Sequence, residues 1–127
     1  MTEAEVIDVM RRYLEGRFPK KCGVCDRTYA NLKDYLLRTT HVGKPQSYDV
    51  EMGVFRPRKP FGTMSLANCA CGNTLVMDSS GMELATLWRL MGWLTGEMWR
   101  RRETAPVILE DLRRAIDEAT LNDPVAR

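Results

Sequence analysis

The sequence predicts an α+β fold: a small antiparallel sheet of about three strands in the middle of the chain, one helix before it, a short helix leading into it and two helices after it. Three observations point there. Apolar residues recur at helical spacing near both ends, they alternate with polar residues in the middle, and two close cysteine pairs bracket the region between. The 127 residues suit one domain with a modest core, and a composition 44% apolar and 28% charged is that of an ordinary globular chain rather than a disordered one.

The first helix begins at the N-terminus. Thr2 and Glu5 stand three apart as in a capping box, and Val6, Ile7, Met10, Tyr13 and Leu14 share one face. Gly16 gives a stop, with Pro19 beyond it. A short second helix is read from "TYANLKDYLLRTTH", with Tyr29, Leu32, Tyr35 and Leu36 as its apolar side and His41 at its end; "VGKPQS" breaks it. In "YDVEMGVF" the period changes. Tyr48, Val50, Met52 and Val54 alternate with polar residues and glycine, as in a half-buried strand. "RPRKPFG" is too proline-rich to lie within a sheet. "TMSLAN" and "NTLVMD" then read as two strands joined by "CACG".

The remainder is helical. Ser80-Gly81-Met82-Glu83 fits a capping box, and Leu84, Leu87, Trp88, Met91, Leu94 and Met98 form an apolar stripe. Gly92 and Gly96 each cost about 1 kcal/mol against Ala inside a helix, so the close approach of another backbone is expected there. A last helix opens near Thr104 to Pro106, since proline is tolerated in a first turn, and buries Ile108, Leu109, Leu112, Ile116 and Ala119. The chain divides into a metal-stapled part, residues 1–79, and a C-terminal helical hairpin, residues 80–121, within one domain.

The metal is inferred from Cys22-Gly-Val-Cys25 and Cys69-Ala-Cys71-Gly72. A C-x-x-C turn presents two thiolates to one tetrahedral ion, and a neighbouring glycine relieves the tight loop. The second pair would project from a hairpin tip. Residues 26–68 separate the pairs, too many for one local finger but compatible with two remote knuckles closing over one ion. Four thiolates match a structural zinc site, closed to water and substrate, that would join the N-terminal helical part to the sheet. Alternatives are a site in which His41 replaces Cys69 or Cys71, an iron–sulfur cluster on the same thiolates, or thiols that bind no metal. His41 itself reads first as a helix-end residue meeting exposed carbonyls.

The stretch Cys22 to His41 resembles Cys2His2 zinc fingers, with a C-x-x-C turn, an aromatic at Tyr29 and a helix with inward leucines. It departs from them in lacking a second histidine and a hairpin before Cys22. Cys69-Ala-Cys71-Gly72 resembles a zinc-ribbon knuckle. The resemblance covers about half the chain at superfamily level and implies metal binding through the knuckles, without naming a family.

An active site is not legible. No His-x-Glu element precedes the cysteines, and no HEXXH, Walker loop, G-x-G-x-x-G or nucleophile elbow occurs. The carboxylate pairs Glu110-Asp111 and Asp117-Glu118 read as solvated helix faces. The expectation is a non-catalytic zinc-binding regulatory or adaptor module with no small-molecule substrate, acting on a protein partner or a second copy of itself as a dimer.

Leu90, Trp93 and Trp99 lie off the main stripe of the long helix and widen its apolar surface into the expected interface. A second reading is nucleic-acid binding by the stiff basic loop Arg56, Arg58, Lys59 and Phe61, although a net charge of +2 argues against it. A third is a thiol redox or iron–sulfur sensor, with Lys20, Lys21 and Arg27 lowering the thiol pKa. The N-terminus carries acids where a signal peptide is basic and then apolar, and no run approaches a membrane span; a cytoplasmic protein with reduced thiols is expected.

Overall fold

The computed structural model describes residues 1–47, 63–79 and 81–124. Helix α1 spans Glu3–Glu15 and is capped as its sequence foretells: Thr2 Oγ1 accepts from the Glu5 amide at 3.2 Å. A two-stranded ribbon follows, β1 (Lys20–Lys21) antiparallel to β2 (Thr28–Tyr29), and then α2 (Leu32–Arg38). The three-stranded antiparallel sheet runs β3 (Thr40–Ser47), β4 (Thr63–Asn68) and β5 (Thr74–Asp78), with β4 in the centre. Helices α3 (Leu84–Arg101) and α4 (Ala105–Leu121) complete a mixed α+β fold.

Two expectations change here. The second helix ends at Arg38, not His41, and starts only at Leu32. Asn31 caps it by accepting from the Asp34 amide at 2.8 Å, and the Thr39 hydroxyl donates to the Tyr35 carbonyl at 2.6 Å as the chain turns extended. The β-branched pair Thr39-Thr40 favours that extension. His41 therefore lies on a strand, opposite Ala67, not at a helix end.

The first strand of the sheet is Thr40–Ser47, which contains the glycine and proline read as a break. They fit because the ladder is interrupted: Val42 faces Leu66 and Gln46 faces Met64, leaving Gly43, Lys44 and Pro45 opposite Ser65 alone. Gly43 takes φ +66° in this bulge, and Pro45, which has no N–H to give, sits where the ladder does not need one. The expected strand over Tyr48 to Val54 and the basic loop with Arg56, Arg58, Lys59 and Phe61 lie outside the described residues, as does Ser80.

Helix α4 is the hub, packed on β3 and touching α1, α2 and α3. Its buried side is Ala105, Ile108, Leu109, Leu112, Ile116 and Thr120, and burying each large aliphatic contributes about 1.5–3 kcal/mol. Ala119 is only half-buried, one position off the true seam. Arg11 on α1 reaches Asp123 just beyond α4 at 3.0 Å, and Lys33 Nζ donates to the Asp123 carbonyl at 3.4 Å, so three helices are tied at one end.

Helix α3 is rotated from the expected stripe. Leu87, Met91 and Leu94 are buried with Leu90, Trp93 and Met98 packed beside them, whereas Leu84 and Trp88 face outward. Its N-cap is Glu83, without a side-chain capping bond, so the box read at Ser80-Glu83 does not start the helix. No close backbone explains Gly92 and Gly96: a Cβ at either would meet nothing within 4 Å. No helix is long and apolar enough to cross a membrane among the described residues.

Candidate metal centre

Each cysteine pair sits in a tight reverse turn held by its own backbone. In the first, the Cys22 amide donates to the Arg27 carbonyl at 2.9 Å and the Asp26 amide to the Cys22 carbonyl at 3.1 Å. In the second, the Cys69 amide donates to Asn73 at 2.8 Å and the Gly72 amide back to Cys69 at 2.8 Å. Both turns put the residue after the second cysteine in the left-handed region, Asp26 at φ +64° and Gly72 at φ +93°. Glycine does so freely, and aspartate is among the few other residues that tolerate it.

The two turns converge. Cys22 Sγ lies 3.7 Å from Cys71 Sγ, Cys25 Sγ lies 3.6 Å from Cys69 Sγ, and all four sulfurs lie within 4.8 Å of one another. No disulfide joins them. A tetrahedral ion with sulfur ligands at about 2.3 Å needs sulfurs roughly 3.8 Å apart, so the four cysteines fit one ion of that kind. Cys22 and Cys69 are buried against the core, and Cys25 and Cys71 close the outer side.

Hydrogen bonds aimed at sulfur set the thiol acidities. The Cys25 amide, then the Asn73 side-chain amide at 3.4 Å, lower the Cys22 pKa from 9.0 to about 6, against burial, which raises it. The Cys71 amide and then the Tyr29 hydroxyl lower that of Cys69. At Cys71 the Asn73 amide works in the same direction but is outweighed by desolvation and three neighbouring sulfurs, which push it up to about 11. The lowering thus comes from N–H and O–H groups rather than from the nearby cations that the sequence suggested. Lys21, one of those cations, is engaged with Asp26 at 3.4 Å.

Tyr29 and Asn73 are the partners that sequence reasoning missed. Tyr29 is fully buried, donates to Cys69 Sγ at 2.9 Å, and has its own pKa pushed up to about 12 by burial first and Cys69 second. The Arg38 guanidinium covers its ring at 5.0 Å, fixed by Asp34 and the Thr28 carbonyl, and the Tyr35 ring meets it edge-on at 5.5 Å. The one sequence signal was position: Asn73 follows the second knuckle directly, and Tyr29 opens the run after the first.

His41 is not with the sulfurs. Its Nε2 lies 3.7 Å from Glu110 Oε2 on α4. Arg113 bonds both Glu110 and Asp117, so these two carboxylates, read as solvated, instead face the sheet. The Arg113 guanidinium holds Glu110 below the usual carboxylate range, while burial raises Asp117. Of the expected interface residues, Leu90 and Trp93 are half-buried against the core, whereas Trp99 is 82% exposed. Trp88, 45% exposed, and Leu84, 39% exposed, lie on the same open face of α3. No protein-family model matches the chain, and no curated protein or solved structure matches it.

Proposed function

We propose that the protein is a non-catalytic interaction module: one structural zinc ion on Cys22, Cys25, Cys69 and Cys71 fixes the two knuckles, and the open face of α3 docks an acidic, amphipathic segment of a protein partner. The observation that carries the role is the face formed by Leu84, Trp88 and Trp99, with Gly92 and Gly96 leaving open space beside it. Large exposed aromatics in one patch are characteristic of binding surfaces. Arg89, Arg100 and Arg102 surround it, and the one acid on the helix, Glu97, is turned to Arg100 and Arg101. A second copy would bring the same cations against these, so charge favours an acidic partner over a homodimer.

The spacing of the sulfurs supports a single ion. A cluster places two or four irons among its thiolates and spreads them further apart than four sulfurs that meet at one centre. With four protein ligands no coordination position remains for water, which is why the reading is structural rather than catalytic.

Element analysis with an absorption spectrum tests the metal: one zinc per colourless chain is expected, and iron with sulfide would refute it. Docking is tested by titrating a helical peptide with leucines on one face and glutamates on the other. Binding that weakens with salt and with Trp99→Ser, in a protein that stays monomeric, is expected. Equal binding of the lysine counterpart peptide, or a dimer abolished by Trp99→Ser, would overturn the acidic-partner reading.

A further inference from the structure

A cavity of about 260 Å³ lies between the sheet, α1, α2 and α4, away from the cysteines. Most of its wall is apolar: Met10, Leu36, Met64, Met77, Leu112 and Ile116 contribute from all of these elements. Protein interiors are packed nearly as densely as organic crystals, with few voids larger than a water molecule, so an apolar space of this size is unusual without an occupant. At roughly 30 Å³ per water-sized unit there is room for a molecule of on the order of ten non-hydrogen atoms.

One side of the wall is polar, and its chemistry selects the occupant. Arg113 is fully used, with Nε and Nη2 on Glu110 and Nη1 on Asp117 at 2.6 Å. No free cation is therefore left there for a carboxylate or phosphate. His41 is different. Its Nε2 is buried and has no hydrogen-bond partner; Glu110 Oε2 at 3.7 Å is beyond bonding distance. A buried polar atom without a partner costs free energy that a ligand can restore. This nitrogen donates in one imidazole tautomer and accepts in the other, and a hydroxyl group can answer either.

We propose that the cavity is a binding site for a small, uncharged, mainly apolar alcohol or phenol, its hydroxyl hydrogen-bonded to His41 Nε2 and its apolar body among the methionine, leucine and isoleucine side chains. This binding is separate from the metal and from the docking face of α3. It also departs from the expectation that no small molecule is bound.

The test uses the whole metal-loaded chain with methionine methyl groups labelled, and 1-octanol as the probe. Octanol is expected to shift the Met10, Met64 and Met77 methyl resonances and leave Met82 and Met98 in place. Octanoate and octylammonium, of the same length but charged, should bind at least tenfold more weakly. His41→Phe, which keeps a ring but removes the nitrogen, should weaken octanol binding about five- to tenfold. Ala67→Leu and, independently, Ser65→Leu place bulk in the cavity wall and should abolish it; folding is checked for each from the unchanged Met82 and Met98 signals. The proposal is overturned if saturating octanol leaves the three cavity methyls unmoved in the wild-type chain. It is equally overturned if the charged probes bind as well as octanol, if His41→Phe binds it undiminished, or if both filled and folded variants still bind.

Discussion

The Tyr29 hydroxyl donates a hydrogen bond to Cys69 Sγ across 2.9 Å, joining the first strand pair to the tip of the β4–β5 hairpin through the candidate metal centre. The bond links residues forty positions apart, and both partners are buried. A phenol held there by Arg38 and Tyr35 offers its proton to a thiolate at no further cost in ordering.

Tyr29→Phe should therefore act mainly on the metal. The ring and its edge contacts with Tyr35 remain, but Cys69 loses one of the two donors that lower its pKa. Metal affinity, measured by competition with a chelating dye, should fall about 10- to 100-fold. Metal-free stability should fall by only about 1 kcal/mol. An affinity equal to wild type would mean that the hydroxyl does not support the site.

Removing the metal should loosen the knuckles before the rest. The turn amides of Cys22, Asp26, Cys69 and Gly72 bond only within their own short loops, whereas α4 is packed on β3 and three helices. After chelation, hydrogen exchange at those four amides should accelerate while Ile108, Leu112 and Ile116 keep protection. Simultaneous loss everywhere would show that the ion holds the entire fold.

The knuckles were legible because their chemistry is local: two cysteines within a turn must point to the same side of it. Their convergence was readable from the thiolate count alone. What failed was longer in range. Gly43 and Pro45 look like a stop until a bulge absorbs them, and only the partner strand reveals the bulge. His41 has no sequence neighbour that predicts Glu110; the pair is made when α4 crosses β3. A signal was present in Glu110, Arg113 and Asp117, spaced three and four apart beside the buried seam of Leu109, Leu112 and Ile116, where a purely solvated face is not the natural reading. Leu84 and Trp88 fit the helical period but fall beyond the arc that one small core covers.

Glu97 gives the pH dependence. It is buried and bonded to Arg100 and Arg101, whose guanidinium groups, Arg100 first, lower its pKa from the ordinary value of 4.5. A carboxyl lowered on folding stabilises fully above its unfolded pKa and loses that contribution as pH falls through the folded value. Glu97→Gln should thus be less stable than wild type by about 1–3 kcal/mol at pH 7, from the loss of a charged hydrogen-bond acceptor. The gap should shrink below pH 4.5 and close at lower pH. Urea unfolding of both proteins across that range measures it; a gap that does not change with pH would mean that the charge on Glu97 contributes nothing.

Gly92 and Gly96 separate folding from binding on α3. Neither has positive φ, both lie inside a helix, and a Cβ at either meets open space. Gly92→Ala and Gly96→Ala should each raise stability by about 0.5–1 kcal/mol, because alanine has less backbone freedom to lose and a better helix propensity. Since nothing in the fold needs these glycines, their use lies outside it. The space beside Trp88 and Trp99 lets a partner backbone approach α3, and two methyl groups would hold it off. The double variant Gly92→Ala/Gly96→Ala should therefore melt at a higher temperature than wild type while binding the acidic amphipathic peptide more weakly. Higher stability with unchanged peptide affinity would place the partner elsewhere on the molecule, and lower stability would mean that the helix packs more closely over these positions than the open space implies.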